Sequence, residues 1–491
     1  MHSEHFEKFY QNTIGIEQII STPKGDKKMI YADWIASGRL YEPIEKIMRE
    51  KVAPYCANTH TETSTTGTLM TKAYKEAKEF IKKEVNANQK DILIFSGSGM
   101  TASINKLQRI LGLRVPENIK KYLLNTQYIS TNHKPIVFVT HLEHHSNHTS
   151  WLETIADVEI INPNEDGTVN LEHFAELLNQ YKERKFKIAS VSACSNVTGI
   201  FTPYYEIAEM IHKEGGVCFV DFACSAPYVE INMHPENPLQ QLDVVFISPH
   251  KFLGGPGTPG IMILNSDLYE NTIPDNSGGG TVKFTSPWKF HSYIDNIEER
   301  EDGGTPPFLQ GIKAALCFKL KKEMDTNKML EREKEMVVKV IDELSKIKNL
   351  YVLEPQIKDR IGAISFYIDG LHYNLGVKLL NDYFGIQVRG GCACAGTYGH
   401  YLLHIDKEKS SSIYIQIEKG DYFIRPGWIR LSLHPTLSNQ NIDYIIDAIK
   451  YIAANHHELS QSYIYTSHNN SFSYIDDKQN FENDFVDILF H

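Results

Sequence analysis

Lys251 and the glycine-rich run after it form the first segment of the chain whose residue types suggest chemistry. The lysine closes the tetrapeptide SPHK and is followed by FLGGPGTPG. An amine at the end of a strand can be desolvated, which lowers its pKa and makes it a nucleophile. The glycine run lacks the Gly-Lys-Ser/Thr ending of a P-loop and the GxGxxG pattern of a dinucleotide fold. Considered alone, such a lysine is more often an ordinary surface residue.

A carboxylate, Asp221, ends the apolar run GVCFVD that precedes the run leading to Lys251. A strand-end carboxylate is what the pyridine nitrogen of pyridoxal 5′-phosphate (PLP) needs, because the ion pair keeps the ring protonated as an electron sink. The alternative is that Asp221 caps a helix or belongs to a turn. An aspartate and a lysine at the ends of successive strands favour a PLP site.

Three further loops carry side chains that suit the same cofactor. Gly99 and Thr101 precede a helical stretch, whose N-terminus would present backbone N–H groups to a phosphate. His144, in EHHSN, would stack on a planar ring and move protons. Asn196, in SNVTG, would offer its amide to a phenolic oxygen or a carboxylate. Each also has a plain structural alternative, as a cap, a core residue or a turn residue.

Short apolar runs precede all of these loops, and helix-like stretches separate the runs. The runs are DILIF (91–95), PIVFVT (135–140), VEIIN (158–162), IASVSA (188–193), GVCFVD (216–221) and VVFIS (244–248). This alternation predicts parallel strands with right-handed crossovers, in an α/β sheet covered on both faces. Ligands of such sheets bind beyond the carboxyl ends of the strands, so we expect the loops to face one site.

The overall composition excludes several classes of partner. The formal net charge is −11, from 61 acidic and 50 basic residues, which argues against a nucleic-acid-binding protein. No apolar run approaches the roughly 18–20 residues that span a membrane. The start, MHSEHFEKFYQ, is too polar for a signal peptide, and the 7 cysteines are too few for a disulfide framework. We therefore expect a cytoplasmic protein that binds neither nucleic acid nor membranes.

Five motifs occur in the order typical of one enzyme family. They are EHHSN, SNVTG, D-x-A at 221–223, S-x-H-K at 248–251 and GGTP at 303–306. Together they resemble the class V aminotransferase family of fold-type I PLP enzymes, above all its group II cysteine desulfurases and selenocysteine lyases. The resemblance covers residues from about 30 to about 450. It implies an α/β fold, in which a large domain with a mainly parallel seven-stranded sheet is joined to a smaller α+β C-terminal domain.

The length of the chain and the changes of composition along it predict four segments, because 491 residues are too many for one compact domain. We expect an N-terminal segment (1–29) packed on the small domain, a large PLP-binding domain (30–308), a small C-terminal domain (309–458) and a poorly ordered extension (459–491). The Lys/Glu-rich stretch 309–347 is typical of one long helix.

The resemblance also implies a role for each matching residue. The implied catalytic residues are Lys251 as the Schiff-base lysine, His144 and Cys394. The implied cofactor-binding residues are Gly99, Met100, Thr101, His144, Asn196, Asp221, Cys224, Ser248, His250, Lys251, Gly304 and Thr305. The implied substrate-binding residues are Asn196, Arg389, Arg430 and His60, with Arg430 clamping the α-carboxylate. Gly304 and Thr305 resemble a pair that reaches the phosphate of the neighbouring subunit, which implies a homodimer.

The loop VRGGCACAG is where the chemistry of a desulfurase would be decided. The resemblance places the nucleophilic cysteine at Cys394, whose thiolate would take the sulfur of the substrate as a persulfide. Alternatively, Cys392 and Cys394 are inert small residues, or they join His400 in a metal site. We expect no metal, because a closed zinc site needs a fourth ligand that the sequence does not offer.

Three segments depart from the family pattern. Cys224 stands where the family has a glutamine, ADWIASGRL replaces D-x-A-A-T, and residues 396–427 form an insertion. We expect removal of sulfur or selenium from L-cysteine or L-selenocysteine, with a sulfur-acceptor protein as a partner. Transamination, epimerisation or another β-elimination without Cys394 stays open, as does a non-catalytic relative that binds PLP or a partner.

Overall fold

The computed structural model describes residues 2–121, 131–476 and 481–491. Its α-helices are α1 (His2–Gln11), α2 (Glu42–Ile47), α3 (Thr65–Glu84), α4 (Met100–Ile110), α5 (His145–Leu152), α6 (Leu171–Gln180), α7 (Tyr204–Lys213), α8 (Ile297–Glu301), α9 (Phe308–Met324), α10 (Thr326–Leu344), α11 (Tyr373–Phe384), α12 (Gly396–Leu402), α13 (Lys407–Glu418), α14 (Asn439–Ser460) and α15 (Phe481–Phe490).

Its β-strands are short, as is usual for buried sheets. They are β1 (Ile19–Ile20), β2 (Lys27–Lys28), β3 (Ile30–Tyr31), β4 (Asp91–Ser96), β5 (Ile136–Thr140), β6 (Asp157–Ile161), β7 (Lys187–Ser192), β8 (Val217–Asp221), β9 (Val244–Ile247), β10 (Gly260–Asn265), β11 (Val282–Thr285), β12 (His291–Tyr293), β13 (Leu350–Val352), β14 (Ala363–Ile368), β15 (Ile386–Gln387), β16 (Arg389–Gly391), β17 (Trp428–Ser432), β18 (Tyr463–Thr466) and β19 (Ser471–Tyr474).

The chain forms two compact units by its internal contacts. One unit contains Ser37–Ser195 and Phe201–Asn327, and the other contains Met1–Ala36, Asn196–Ile200 and Lys328–His491. We call them the large unit and the small unit. The boundaries of these units differ from those of the four segments predicted from the sequence, and the four-segment division stays a prediction.

A seven-stranded sheet forms the centre of the large unit, in the order β4-β10-β9-β8-β7-β5-β6. Neighbouring pairs among β6, β5, β7, β8 and β9 are parallel, whereas β10 is antiparallel to both of its neighbours. Strands β5, β7 and β9 are buried along their whole length, which explains why they read as continuous apolar runs. The mainly parallel seven-stranded sheet predicted from the sequence is confirmed.

The direction of the strands brings several predicted site residues to one edge. Because β10 runs against both β4 and β9, β4 runs parallel to the rest of the sheet. The carboxyl ends of β4, β5, β8 and β9 therefore lie at the same edge. Gly99 follows β4, His144 follows β5, Asp221 ends β8, and Lys251 follows β9.

The small unit is built on an antiparallel sheet in the order β13-β14-β17-β16. Its core includes the apolar faces of α10, α11 and α14, and Trp428 is fully buried in β17. The segment predicted as a poorly ordered extension contains the hairpin β18–β19 and helix α15. Tyr463 of that hairpin is buried, and its hydroxyl donates to Asp382 at 2.9 Å. Residues 477–480 of the extension lie outside the described residues.

The prediction of one long helix over 309–347 is wrong. Helix α9 ends at Met324 and α10 begins at Thr326, because Asp325 has a left-handed backbone with φ of 66°. A residue in this conformation cannot continue a right-handed helix.

Among the helices in the described ranges, none combines the length and the apolar character needed to cross a membrane.

Candidate active site

Asp221 is a buried carboxylate at the end of β8. The residue is 6% exposed, and its Oδ1 accepts a hydrogen bond of 2.8 Å from the backbone N–H of Ala223. Burial raises the pKa of Asp221 to about 6, while the N–H of Ala223 and the nearby charge of Lys251 act to lower it. The carboxylate is thus within electrostatic reach of Lys251, and a further cationic partner would stabilise its ionised form.

Lys251 lies in a tight 3₁₀ turn that close backbone contacts hold in place. The turn spans Pro249–Lys251, and the N–H of Gly38 donates to the carbonyl of His250 at 2.9 Å. A Cβ atom on Gly255 would lie 1.8 Å from the carbonyl oxygen of Pro249, and one on Gly38 equally close to that of Phe252. Only glycine fits at these two positions, which explains part of the glycine-rich run after Lys251.

The predicted phosphate ligands converge at the N-terminus of α4. The backbone N–H of Met100 donates to Ser248 Oγ at 2.9 Å, which joins the start of the helix to the end of β9. A Cβ on Gly99 would lie 3.0 Å from His250 Cε1 and 3.2 Å from Ser248 Oγ. The absence of a side chain at Gly99 therefore leaves a small cradle, at the positive end of the helix dipole. A cavity of about 430 Å³ opens beside His250.

His144 caps helix α5 with its ring. Its Nδ1 accepts a hydrogen bond of 3.1 Å from the N–H of Ser146, so a neutral ring carries its proton on Nε2. The hydroxyl of Ser146 also lies 2.6 Å from that of Thr101, which joins the N-termini of α4 and α5. The histidine side chain is thus oriented by the same loops that form the cradle.

Glu143, beside His144, is a buried carboxylate for which the sequence predicts no role. It accepts hydrogen bonds from Thr140 Oγ1 (2.6 Å), Ser192 Oγ (2.6 Å) and Asn147 Nδ2 (2.7 Å). Burial raises its pKa to about 7, against the effect of these donors. Glu143 fixes the loop that presents His144. The sequence shows the EHHSN motif that contains Glu143, but it does not show that Ser192 on β7 and Asn147 on α5 donate hydrogen bonds to this carboxylate.

Cys224 is buried just after Asp221. Its thiol donates to the carbonyl of Ser195 at 3.7 Å. The thiol of Cys194 lies next to it, and burial together with this neighbour raises the pKa of Cys194 well above its usual value. The thiol of Cys194 is therefore protonated at neutral pH and a poor nucleophile.

His60, Gly304 and Thr305 lie together at the surface of the large unit. His60 Nε2 is 3.3 Å from the carbonyl oxygen of Gly304, and Asn58 Nδ2 donates to Thr305 Oγ1 at 3.4 Å. Both His60 and Thr305 are exposed. A polar cavity of about 580 Å³ beside them is lined by Lys75, Lys78, Glu298 and Asp302, among others.

In the small unit, Arg430 and Arg389 share one carboxylate. Arg430 Nη2 donates to Asp33 Oδ1 at 2.8 Å, and Arg389 Nε donates to Asp33 Oδ2 at 3.0 Å. Arg430 Nη1 also donates to the backbone carbonyl of Asn196 at 3.0 Å. Asp33 is the second residue of the altered ADWIASG loop, and the sequence alone assigned it no role.

Cys394 lies exposed on a strained loop after β16. Ala393 and Cys394 have φ values of 51° and 57°, in the left-handed region that costs a non-glycine residue roughly 1–2 kcal/mol. Asn196 Nδ2 donates to the carbonyl of Ala393 at 2.7 Å, and the N–H of Ala395 donates to the carbonyl of Cys392. These bonds stabilise the conformation that presents the thiol of Cys394.

His400 is engaged away from the two cysteines. Its Nδ1 lies 2.8 Å from the carbonyl oxygen of Gly396, and its Nε2 lies 2.9 Å from Ser410 Oγ. The structure therefore does not bring His400 together with Cys392 and Cys394.

Comparison with known proteins identifies relatives over most of the chain. The sequence profile of the family described as "Aminotransferase class-V" matches residues 30–445. A protein of Staphylococcus aureus named "Probable cysteine desulfurase" is 26% identical over 408 residues, which are 82% of this chain and 92% of that protein. A protein of the same name from Halalkalibacterium halodurans is also 26% identical over 408 residues, which are 80% of this chain and 90% of the relative.

Solved structures with the same fold include two cysteine desulfurases. That of Thermococcus onnurineus has a TM-score of 0.68 at 21% identity, and covers 87% of this chain and 95% of its own. That of Escherichia coli has a TM-score of 0.68 at 20% identity, and covers 91% of this chain and 98% of its own. At these identities the likeness shows the fold, and the fold class predicted from the sequence is confirmed.

Proposed function

Because this chain belongs to the class V aminotransferase family, whose members are PLP-dependent enzymes, we propose that it is a cysteine desulfurase or selenocysteine lyase. The match of the family profile to residues 30–445 confirms the family that the sequence motifs indicated. The proposed substrates are L-cysteine and L-selenocysteine, and the proposed product on the enzyme is a persulfide or its selenium counterpart on Cys394. The single observation that carries the proposal is the exposed thiol of Cys394, held on a strained loop that Asn196 stabilises.

The residues at the edge of the large sheet fit PLP. Asp221 is a buried carboxylate with a raised pKa, and a pyridinium N–H would supply the cationic partner it needs. The cradle at Gly99 and the N-terminus of α4 suit a phosphate. In the small unit, Oδ1 of Asn196 is buried and has no hydrogen-bond partner within the described part of the chain, as expected of an atom that awaits a ligand.

We assign the proton transfers to Lys251 and His144. When bound through Lys251, PLP supplies an electron sink for bonds that break at the substrate. The Nζ amine of Lys251, released when substrate binds, removes the proton from Cα and later returns one to carbon. His144, whose ring is oriented through Nδ1, holds a proton on Nε2 for the same exchange.

Cys394 receives the sulfur. An electron pair of its thiolate forms a bond to the substrate sulfur while the bond from that sulfur to Cβ breaks. The electrons of the broken bond pass to the substrate, and protonation at Cβ leaves alanine as the second product. A small thiol or a sulfur-acceptor protein must then remove the sulfur from Cys394 before the next turnover.

We also propose a homodimer in the cytoplasm. Gly304 and the exposed Thr305 would meet the cofactor phosphate of the partner subunit, as the resemblance implies. Within the described residues, none of the seven cysteines forms a disulfide, which fits a reducing compartment.

The decisive experiment measures products from L-cysteine and L-selenocysteine with the PLP-loaded protein. We expect equal amounts of alanine and of sulfide, or of selenide, in the presence of a thiol. Release of pyruvate and ammonia, or transfer of the amino group to a keto acid, would instead assign the chain to an eliminase or transaminase branch that does not use Cys394.

A further inference from the structure

We propose that helix α15 docks, within its own chain, in an apolar groove between segment 396–427 and the sheet of the small unit. The helix and the groove both belong to the small unit. The side chains of residues 485–490 are exposed in the structure, so the docked position is a second arrangement of the same segment. The proposal goes beyond the proposed function and does not depend on the desulfurase activity.

The groove has a volume of about 580 Å³ and mostly apolar walls. Its lining includes Ile368 of β14 and Ile429 of β17 on the side of the sheet, and Ile413 of α13 on the other side. Helix α13 has no buried residue along its 12 positions. A helix of this length depends on tertiary packing for its stability, so a surface that covered Ile413 would stabilise α13.

Helix α15 carries the apolar side chains that such a groove binds. Phe485, Ile488 and Leu489 are 53%, 82% and 57% exposed. Their spacing of i, i+3 and i+4 places them on one side of the helix. A helix of 10 residues is marginal in water unless an apolar side is packed, and helices with these anchor positions bind in hydrophobic grooves.

The charges of the groove and of the helix are complementary. Lys409 and Arg425 line the groove and are exposed, and neither forms an ion pair with a carboxylate in the described ranges. Among the described residues that line the groove, none is Asp or Glu. The sequence of α15 contains Glu482, Asp484 and Asp487 and has no lysine or arginine. This charge pattern favours an acidic helix as the occupant of the groove.

The hairpin β18–β19 holds the chain at the edge of the groove. The ring of Phe472 lies 5.3 Å from the ring of His372, which lines the groove. The ring of Tyr465 lies 5.0 Å from that of Phe423, next to the lining residue Ile424. Strand β19 ends at residue 474, and seven further residues, which reach α15, span at most about 23–25 Å. A tether this short gives an effective concentration on the order of millimolar, which favours the helix of the same chain over that of a second copy.

Helix α13 is where docking should be detectable. Helix α12, just before it, is already packed on the sheet, because a Cβ atom on Gly399 would lie 3.3 Å from the indole ring of Trp428. Helix α13 has no buried residue, so its backbone amides should respond most to a helix that covers Ile413.

Hydrogen exchange of backbone amides in the PLP-loaded full-length protein tests the proposal. We expect Ile488→Ser to raise the exchange rates of residues 407–418 about 10-fold or more, because it removes an apolar anchor of the docked helix. Ile464→Ser is the matched control, since Ile464 is 57% exposed on β18 of the same unit. It should leave the exchange of α13 unchanged.

Arg425→Glu tests the contact from the side of the groove. It should raise the exchange rates of residues 485–490 several-fold, because it places a negative charge where the acidic helix docks. Lys419→Glu changes an exposed lysine of the same segment that does not line the groove, and it should leave α15 unchanged. Thermal unfolding should show that all four variants are folded.

The proposal is overturned if Ile488→Ser leaves the exchange of α13 at the wild-type rate, or if Arg425→Glu leaves that of α15 unchanged. Protection that increases with protein concentration between about 1 and 100 µM would mean that a second copy supplies the helix, which also contradicts docking within one chain. None of these readouts involves turnover, so a protein that released no sulfide would contradict the proposed function alone.

Discussion

The edge of the large sheet and the loop of Cys394 hold their reactive groups in opposite ways. Asp221 and Lys251 sit at the ends of buried strands, where backbone ladders and close glycine contacts fix them. Cys394 is exposed on a left-handed loop that depends on one side-chain bond from Asn196. Groups that hold a cofactor or transfer protons at defined atoms, the roles we propose for Asp221 and Lys251, benefit from rigidity. A thiol that accepts sulfur and passes it on, the role we propose for Cys394, has to remain accessible.

The largest effect should come from Lys251. Lys251→Ala removes the amine that we assign to proton transfer, and sulfide release should fall at least about 1,000-fold. Lys90→Ala, which changes an exposed lysine paired with Asp267, is the control and should be neutral. Mass spectrometry after borohydride reduction should find the cofactor on Lys251. An adduct on another lysine would refute the assignment of Lys251 as the residue that carries the cofactor.

Cys394→Ser tests the exposed side. Sulfide release should fall about 100-fold or more, because a hydroxyl is a far weaker acceptor of sulfur than a thiolate. Binding of L-cysteine, seen as a change in visible absorption, should survive. Cys392→Ser is the matched control, since Cys392 is half-buried two positions away, and its effect should be milder. If the double variant Cys392→Ser/Cys394→Ser turned over L-cysteine at the wild-type rate, the proposed persulfide on Cys394 would be refuted.

The third prediction concerns pH and Asp221. Burial raises the pKa of Asp221 from its usual value near 4 to about 6 in the folded chain, so the unfolded state loses its proton at a lower pH than the folded state does. The cofactor-free protein should therefore lose stability as the pH rises from about 4 to about 6, by at most about 3 kcal/mol. Asp221→Asn should remove this loss and unfold at a higher temperature at pH 8.

Calorimetry of both cofactor-free proteins at pH 5 and pH 8 provides the measurement. Glu143 titrates in a similar range and is present in both proteins, so its contribution cancels. If Asp221→Asn were less stable than the wild type at pH 8, burial would not dominate the pKa of Asp221.

The smallest effect should come from Thr305. If this exposed residue completes the site of a partner subunit, Thr305→Ala should weaken PLP retention several-fold while the unfolding temperature of the cofactor-free protein stays the same. Dialysis followed by measurement of residual absorption gives the retention. Thr63→Ala, another surface threonine, serves as the control. A PLP-saturated monomer in solution would contradict the assignment.

The sequence predicts the large sheet well because its signal is local. Buried parallel strands leave apolar runs, and the loops after those runs carry Asp221 and Lys251 in plain view. The break between α9 and α10 at Asp325 was not predicted, because the helical spacing of the apolar residues continues through this position. The left-handed backbone of Asp325 leaves no mark in that spacing. The helix pattern records which face is buried and says nothing about one left-handed residue.

Asp33 could not be given a role from the sequence because its meaning depends on distant partners. It pairs with Arg389 and Arg430, which follow it by most of the length of the chain. Glu143 was quoted within a motif, but its donors lie on another strand and on helix α5. The assigned roles of Cys394, Arg430 and His60 stay predictions, since they concern contacts with a substrate.

The antiparallel strand β10 has a consequence for synthesis on the ribosome. Among the described strands, β4 pairs in the sheet with β10 alone, so residues 91–96 gain this strand partner only after residues 260–265 have been made. At typical rates of about 5–20 residues per second, the delay is roughly 8 to 35 seconds. During that time an apolar strand waits unpaired, a state prone to aggregation. The cradle at Gly99, which we propose binds the cofactor phosphate, begins where β4 ends and is therefore one of the last parts of the large unit to form.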